Sequence, residues 1–274
     1  MATQSPVPCR LSILMAREVH AAVILRRGPS RWVELILWDT KKDLFQRGQW
    51  FHGRVYEECC DLSPDGTKFI YFASKYGRKR DADMPDTWTA ISKPPYLTAL
   101  ALWPSYGVYG GGRFLDNRRF RRTDSWEKLH PRFSLRGLVD VSGDIADAIS
   151  EKNFSNDPIR QRLIQTGWEA VVYQGASRLK WKKENPIGKG ELLVNLSTAP
   201  PGYFLAMANK RVEPQAFEAD WADWDQRGRL VVVQAGRLLV GKYNRHRSLY
   251  FEELAHFNGD RPESIEAPEW ARRW

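Results

Sequence analysis

The residue types best placed to do chemistry in this chain are cations set beside aromatic rings. Arg113, Arg118, Arg119, Arg121 and Arg122 surround Phe114 and Phe120, while Lys75, Arg78, Lys79 and Arg80 follow Tyr71 and flank Tyr76. Lys180, Lys182 and Lys183 bracket Trp181, and Arg245, His246 and Arg247 make a fourth run. Guanidinium and ammonium groups neutralise phosphates while neighbouring rings stack on bases, the combination used to hold single-stranded nucleic acid. The candidate polyanion contacts are therefore Arg118, Arg119, Arg121, Arg122, Lys79, Arg80, Lys182 and Lys183. A solvated loop face has the same composition, so the sequence leaves both readings open.

Other chemistries find less support. The histidines His20, His52, His130, His246 and His256 are scattered, with no HExxH spacing for a zinc site. Asp220, Asp223 and Asp225 lie around Trp221 and Trp224 but lack the glycine and terminal glutamate of a calcium loop, which favours carboxylates that cap turns. Glu57, Glu58 and Asp61 could form the paired carboxylates of a glycosidase only if the fold sets them at the required separation. Gly110, Gly111 and Gly112 lack the lysine and hydroxyl of a phosphate loop, and no G-x-S-x-G elbow occurs. Cys9, Cys59 and Cys60 make neither a disulfide framework nor a zinc pattern. No catalytic residue, metal ligand set or cofactor is expected.

The net charge of +9 and a pI near 9.5 favour an acidic partner without choosing between nucleic acid and protein. Twelve Trp, ten Tyr and twelve Phe supply the bulky anchors of a packed core. No apolar run approaches the roughly 20 residues of a membrane helix, and the first ten residues lack a charged start and apolar run of a secretory signal. A cytoplasmic protein with no membrane partner is expected.

The elements that must position these groups are strands. The clearest stretch, residues 61–74, places Ser63, Pro64, Asp65 and Gly66 before the run Phe69, Ile70, Tyr71, Phe72, Ala73. Pro64 presets φ, Gly66 supplies a positive φ, and the aromatic and β-branched run that follows suits a buried strand. Similar punctuation recurs near Gly107, Gly167 and Gly228, at spacings of roughly 40 to 60 residues. Alternating strands are expected over residues 9–16, 21–26 and 31–40, with others at 88–92, 96–103 and 108–115. Short helices are expected at 157–167, opened by Pro158 and closed by Gly167, and near the end of the chain after Pro268.

The leucine, the Ser-Pro-Asp-Gly turn and the apolar strand of residues 61–74 resemble a blade of the WD-repeat and TolB type of β-propeller. That resemblance implies an all-β fold, an irregular propeller of about four or five blades with short helical insertions, forming one domain with a C-terminal tail from about residue 260. It also implies a non-catalytic binding or scaffold module that engages a protein partner through faces and loops. The alternatives are a nucleic-acid- or polyanion-binding protein, and a hydrolase with carboxylates gathered at a central channel.

Overall fold

The computed structural model describes residues 7–28, 31–75, 85–107, 109–143, 157–171, 180–188, 190–195, 201–206, 215–245 and 248–274. Strand accounts for 49% of the structure and helix for 6%. That is about twice the strand share of an average globular protein, so the all-β expectation holds. Several of the sheets are antiparallel. Among the described residues no helix is long and apolar enough to cross a membrane.

The chain packs as two compact units. One comprises Leu11–Pro158 with Arg261–Trp274; the other comprises Met1–Arg10 with Ile159–Asp260.

In the Leu11–Pro158 unit, β1 (Arg10–Met15), β2 (Ala21–Arg27), β3 (Trp32–Asp39) and β4 (Leu44–His52) lie side by side in chain order. A second sheet has the order β5 (Arg54–Val55), β7 (Phe69–Ser74), β8 (Thr87–Ser92) and β9 (Ala101–Ser105), with β6 (Asp61–Leu62) also paired to β7. The third contains β10 (Gly112–Phe114), β11 (Arg119–Arg122) and β12 (Val139–Asp140), the last running parallel to β11. Every residue of β7 and β8 is buried, as the uninterrupted apolar run of β7 requires. Val23, Leu25, Leu35, Phe69, Tyr71 and Trp88 share one core, and Trp103, Phe114, Phe120 and Leu138 form another. The short helix Glu269–Arg272 buries Ala271 beside Tyr96, and Trp274 donates to the Ser134 carbonyl at 2.6 Å.

In the other unit, β13 (Glu169–Val171), β14 (Lys180–Glu184), β15 (Glu191–Asn195), β16 (Gly202–Ala206) and β17 (Gln215–Glu218) follow the helix Pro158–Gln165. A second sheet holds β18 (Trp221–Trp224), β19 (Leu230–Gln234), β20 (Arg237–Tyr243) and β21 (Leu249–His256). Trp168, Trp181, Leu192, Tyr203, Trp224 and Val232 make its core.

One turn recurs in both units. Ser63 N–H donates to Lys68 O at 2.8 Å and Gly66 N–H to Ser63 O at 2.8 Å. Asn185 to Gly190 and Gly188 to Asn185 repeat that pair at 2.7 and 2.8 Å, and Asp225 to Arg229 with Gly228 to Asp225 comes close to it at 3.0 and 2.9 Å. Gly66, Gly188 and Gly228 hold φ of 70°, 73° and 69°, the left-handed region that glycine enters at least cost. Gly167, at φ 87°, closes the helix Pro158–Gln165 instead, and Gly107 is no member of this turn. The segment expected as strand over 96–103 forms β9 only from Ala101, because Gln49 takes the backbone at Leu97 through its side chain.

Candidate functional site

The arginine run of residues 118–122 is divided along β11, whose first residue is exposed and whose remaining three are buried. Arg118 and Arg119 are exposed where the β10–β11 turn begins the strand, and Arg119 is tied to Asp116 at 2.7 Å. The backbone and guanidinium hydrogen bonds of Arg119 and Arg118 hold the Asp116 carboxyl down at about 2. Phe120 and Arg122 point inward against Trp103, whose ring lies 4.7 Å from the Arg122 guanidinium. Arg121 is buried as well.

Arg122 organises a polar network in this interior. Its Nε donates to Asp140 Oδ2 at 2.8 Å, Nη1 to Asp124 Oδ1 at 3.0 Å and to Asp124 O at 2.8 Å, and Nη2 to Glu127 O at 3.0 Å. Thr89 Oγ1 donates to Asp124 Oδ2 at 2.9 Å and accepts the Gly111 N–H at 2.8 Å. Burial pushes the Asp124 carboxyl up to about 6, although Arg122 and Thr89 pull it down. Arg122 shares its charge between two carboxylates, which leaves Asp124 incompletely compensated for its desolvation.

The lysine pair on β14 is divided in the same way. Lys182 faces outward and meets Glu169 at 3.2 Å, whereas Lys183 turns toward the core side of Trp181 and pairs with buried Asp223 at 2.7 Å. Lys183 also lies 6.0 Å from the Trp168 ring. Burial raises the Asp223 carboxyl against the pull of Lys183. Lys79, Arg80, Arg78 and His246 lie outside the described residues.

Of the carboxylates considered for hydrolysis, Asp61 and Glu57 are engaged with cations and backbone. Asp61 accepts the Phe114 N–H at 2.7 Å and meets Arg17 at 3.5 Å, and Glu57 meets Arg27 at 3.6 Å. Asp225 caps its own turn through the Arg227 and Arg229 N–H groups, and Asp220 accepts from Ala235. No group of three or more His, Cys, Asp or Glu side chains converges to hold a metal among the described residues.

A different set of residues stands out at one end of the second sheet. Ser74, Thr87 and Ser105 form a row across β7, β8 and β9 there. Thr87 Oγ1 donates to Ser105 O at 2.6 Å and to Gly107 O at 3.1 Å, fixing the segment that follows β9. That segment carries Tyr106 and Tyr109, 75% and 65% exposed. The neighbouring loop after β11 is fixed by Thr123 N–H to Gly111 O at 3.0 Å and by the Asp124 and Glu127 contacts of Arg122, and it carries Trp126, 67% exposed. Gly111 must be glycine here: its φ is 81° and a Cβ would collide with the Cys59 carbonyl. Three large rings thus stand in solvent on loops whose backbones are held from below by Thr87, Thr89 and Arg122.

Cations share this end. Arg54 pairs with Ser74 at the start of β5 and stacks 4.5 Å over Tyr56, Gly53 N–H donates to Arg31 O at 2.7 Å, and Lys75 follows Ser74 directly. Sequence reasoning placed Tyr106 in a turn, Tyr109 in a strand and gave Trp126 no role. The Thr-Asp-Ser-Trp-Glu-Lys composition of 123–128 marks a loop, but the exposure of its tryptophan follows only from the network beneath it. No protein-family model and no curated protein matches this chain.

Proposed function

We propose that the chain is a non-catalytic binding module that engages a protein partner through Tyr106, Tyr109 and Trp126. Large rings with little rotamer freedom, held on a rigid backbone, are the residues that dominate protein interfaces. The observation that carries the reading is their combined exposure on two loops joined by the Thr89–Asp124–Arg122 network. A cytoplasmic setting suits a chain whose three cysteines form no disulfide framework in their spacing.

We also infer that the sheets are propeller-type blades. Support comes from sheets whose strands lie in chain order and from the turn at Gly66, Gly188 and Gly228. Within each unit these turns also bond to the turn of the adjoining sheet. Asp65 N–H donates to Asn117 Oδ1 at 2.8 Å and Glu18 N–H to Pro64 O at 2.9 Å; Asn185 Nδ2 donates to Gly228 O at 2.9 Å.

The nucleic-acid reading is weaker on this geometry. Of its candidate arginines, Arg121 and Arg122 are buried, and Arg118 and Arg119 sit at the far tip of the β10–β11 hairpin from Tyr109 and Trp126. Capture from a host lysate, with nuclease-treated and untreated arms, separates the two. The protein reading expects prey that survive nuclease and disappear when Tyr106, Tyr109 and Trp126 are all changed to Ser. Prey lost with nuclease, or indifferent to the triple change, defeat it.

A further inference from the structure

Resting on the binding surface just proposed, we propose that its partner presents an acidic extended segment, with carboxylates along Arg31, Arg54 and Lys75 and an apolar side chain against Tyr106, Tyr109 and Trp126. The cations and rings occupy one continuous edge. Arg31 is bridged to Gly53 through the backbone, Arg54 pairs with Ser74 on β7, Lys75 follows it, and Thr87 on β8 pairs with Ser105, the residue before Tyr106. At about 4.8 Å per strand, the row from β5 to β9 spans roughly 15 Å.

Charge at this edge is lopsided in its exposure. Among the described residues Arg31, Arg54, Lys75 and, in the Trp126 loop, Lys128 are exposed, whereas the carboxylates of Glu57, Asp86 and Glu127 are on half-buried residues and that of Asp124 on a buried one. An approaching segment meets the positive groups first, in a chain whose net charge is +9. The cations cluster on the β5–β7 side and the rings on the β9–β11 side. A stacking platform for single-stranded nucleic acid instead interleaves the two along one groove, so an acidic peptide with an apolar anchor fits better.

The test uses the full chain and three labelled probes followed by fluorescence anisotropy. They are a peptide of about ten residues with a run of Glu at one end and Phe at the other, long enough at roughly 3.3 Å per residue to cover the row, its Lys-for-Glu counterpart, and an oligothymidylate of matched length. The wild type is expected to bind the Glu/Phe peptide best, and more weakly as salt rises. Arg31→Glu, Arg54→Glu and Lys75→Glu together should weaken that complex by about tenfold, since three exposed ion pairs with the peptide are removed, and should improve binding of the Lys/Phe peptide. Equal affinity for the two peptides, tighter binding of the oligothymidylate, or no binding of the acidic probe overturns the proposal. The aromatic surface is judged separately by the Ser triple variant in lysate capture, so either idea can fail while the other stands. An unchanged thermal midpoint of the charge-reversed chain confirms that lost binding is not lost folding.

Discussion

At one end of the Leu11–Pro158 unit the turns at 16–20, 63–68 and 115–119 are bonded to one another, while at the other end the described residues 106–107, 109–111 and 123–128 carry exposed rings. The first end balances its charges locally: Arg17 with Asp61, Lys68 with Asp65, Arg119 with Asp116. The second end keeps its balanced pairs inside, on Arg122, Asp124 and Asp140, and leaves Trp126, Tyr106 and Tyr109 outside. A tight turn satisfies its backbone with its own side chains, as Asp65 does for Thr67. The ring-bearing loops take groups supplied from the sheet below, which here are Thr87, Thr89 and Arg122. Support from strand side chains, Ser105 among them, leaves the rings of these loops available for a partner.

The largest effect expected from this contrast comes from removing the support of the loop end. Arg122→Leu strands buried Asp124 and half-buried Asp140, and should cost about 3–5 kcal/mol. Chemical denaturation measures it. A loss under about 1 kcal/mol means the network is no keystone of these loops.

Glycine substitutions compare the two ends directly. Gly111→Ala must place a Cβ against the Cys59 carbonyl at φ 81°, a backbone contact that cannot yield cheaply, and should cost about 3 kcal/mol or more. Gly66→Ala at φ 70° meets the Ala21 Cβ at 3.2 Å and the Val19 Cγ2 at 3.3 Å, so its cost should be mainly backbone strain, about 1–2 kcal/mol. Thermal midpoints in the reverse order would contradict the close approach of Gly111 to the Cys59 carbonyl.

Acidity should separate the ends by sign. Asp124 has its folded carboxyl raised from 3.8 to about 6, so its contribution is fully present below about pH 4 and lost as pH rises through 6. Burial raises Asp65, but its bonds from Ser63 and Thr67 and the charge of Lys68 outweigh this and lower it overall. Its contribution is present above the unfolded value and is lost as pH falls through the lowered one. Raising pH from about 4 to 7 should therefore remove on the order of 2 kcal/mol through Asp124. Stability curves for the wild type and Asp124→Asn should differ in slope near pH 6. Parallel curves would show that Asp124 does not titrate there.

The turn at Gly66 and its repeat at Gly228 were legible because Asp-Gly or Asp-x-x-Gly punctuation directly precedes an apolar strand. The third copy, at Asn185, Pro186, Ile187 and Gly188, escaped because β14 before it reads Lys-Trp-Lys-Lys-Glu, a strand whose charges hide its period. Gly107 and Gly167 carried the same letters without the same turn: Gly167 ends a helix, and local spacing alone does not distinguish the two uses. The fate of the arginines was less accessible still. Arg119 and Arg122 look equivalent in a basic run until β11 pairs with β10 and sets Phe120 on Trp103, which carries Arg122 inward with it. Trp126 has no periodic neighbour, and its exposure depends on Asp124, Thr89 and Arg122 meeting from separate elements.

The smallest effect concerns the exposed half of the arginine run. Arg118→Ser with Arg119→Ser removes one surface pair, Arg119 with Asp116, in which both side chains are about half exposed at 52% and 43%. Screening and side-chain entropy reduce such a pair to within about 0.5 kcal/mol, so the thermal midpoint should hardly move. The same double variant also probes polyanion binding. If these arginines neutralise phosphates of a single strand, the slope of affinity against salt should fall by roughly 0.7 for each phosphate that the variant leaves unneutralised. An oligonucleotide titration at two salt concentrations reads that slope. An unchanged slope leaves Arg118 and Arg119 as the solvated tip of the β10–β11 hairpin, and the contrast between a closed, self-compensated end and an open, aromatic one stands. A lowered slope would make the turn end a binding surface in its own right and remove that contrast.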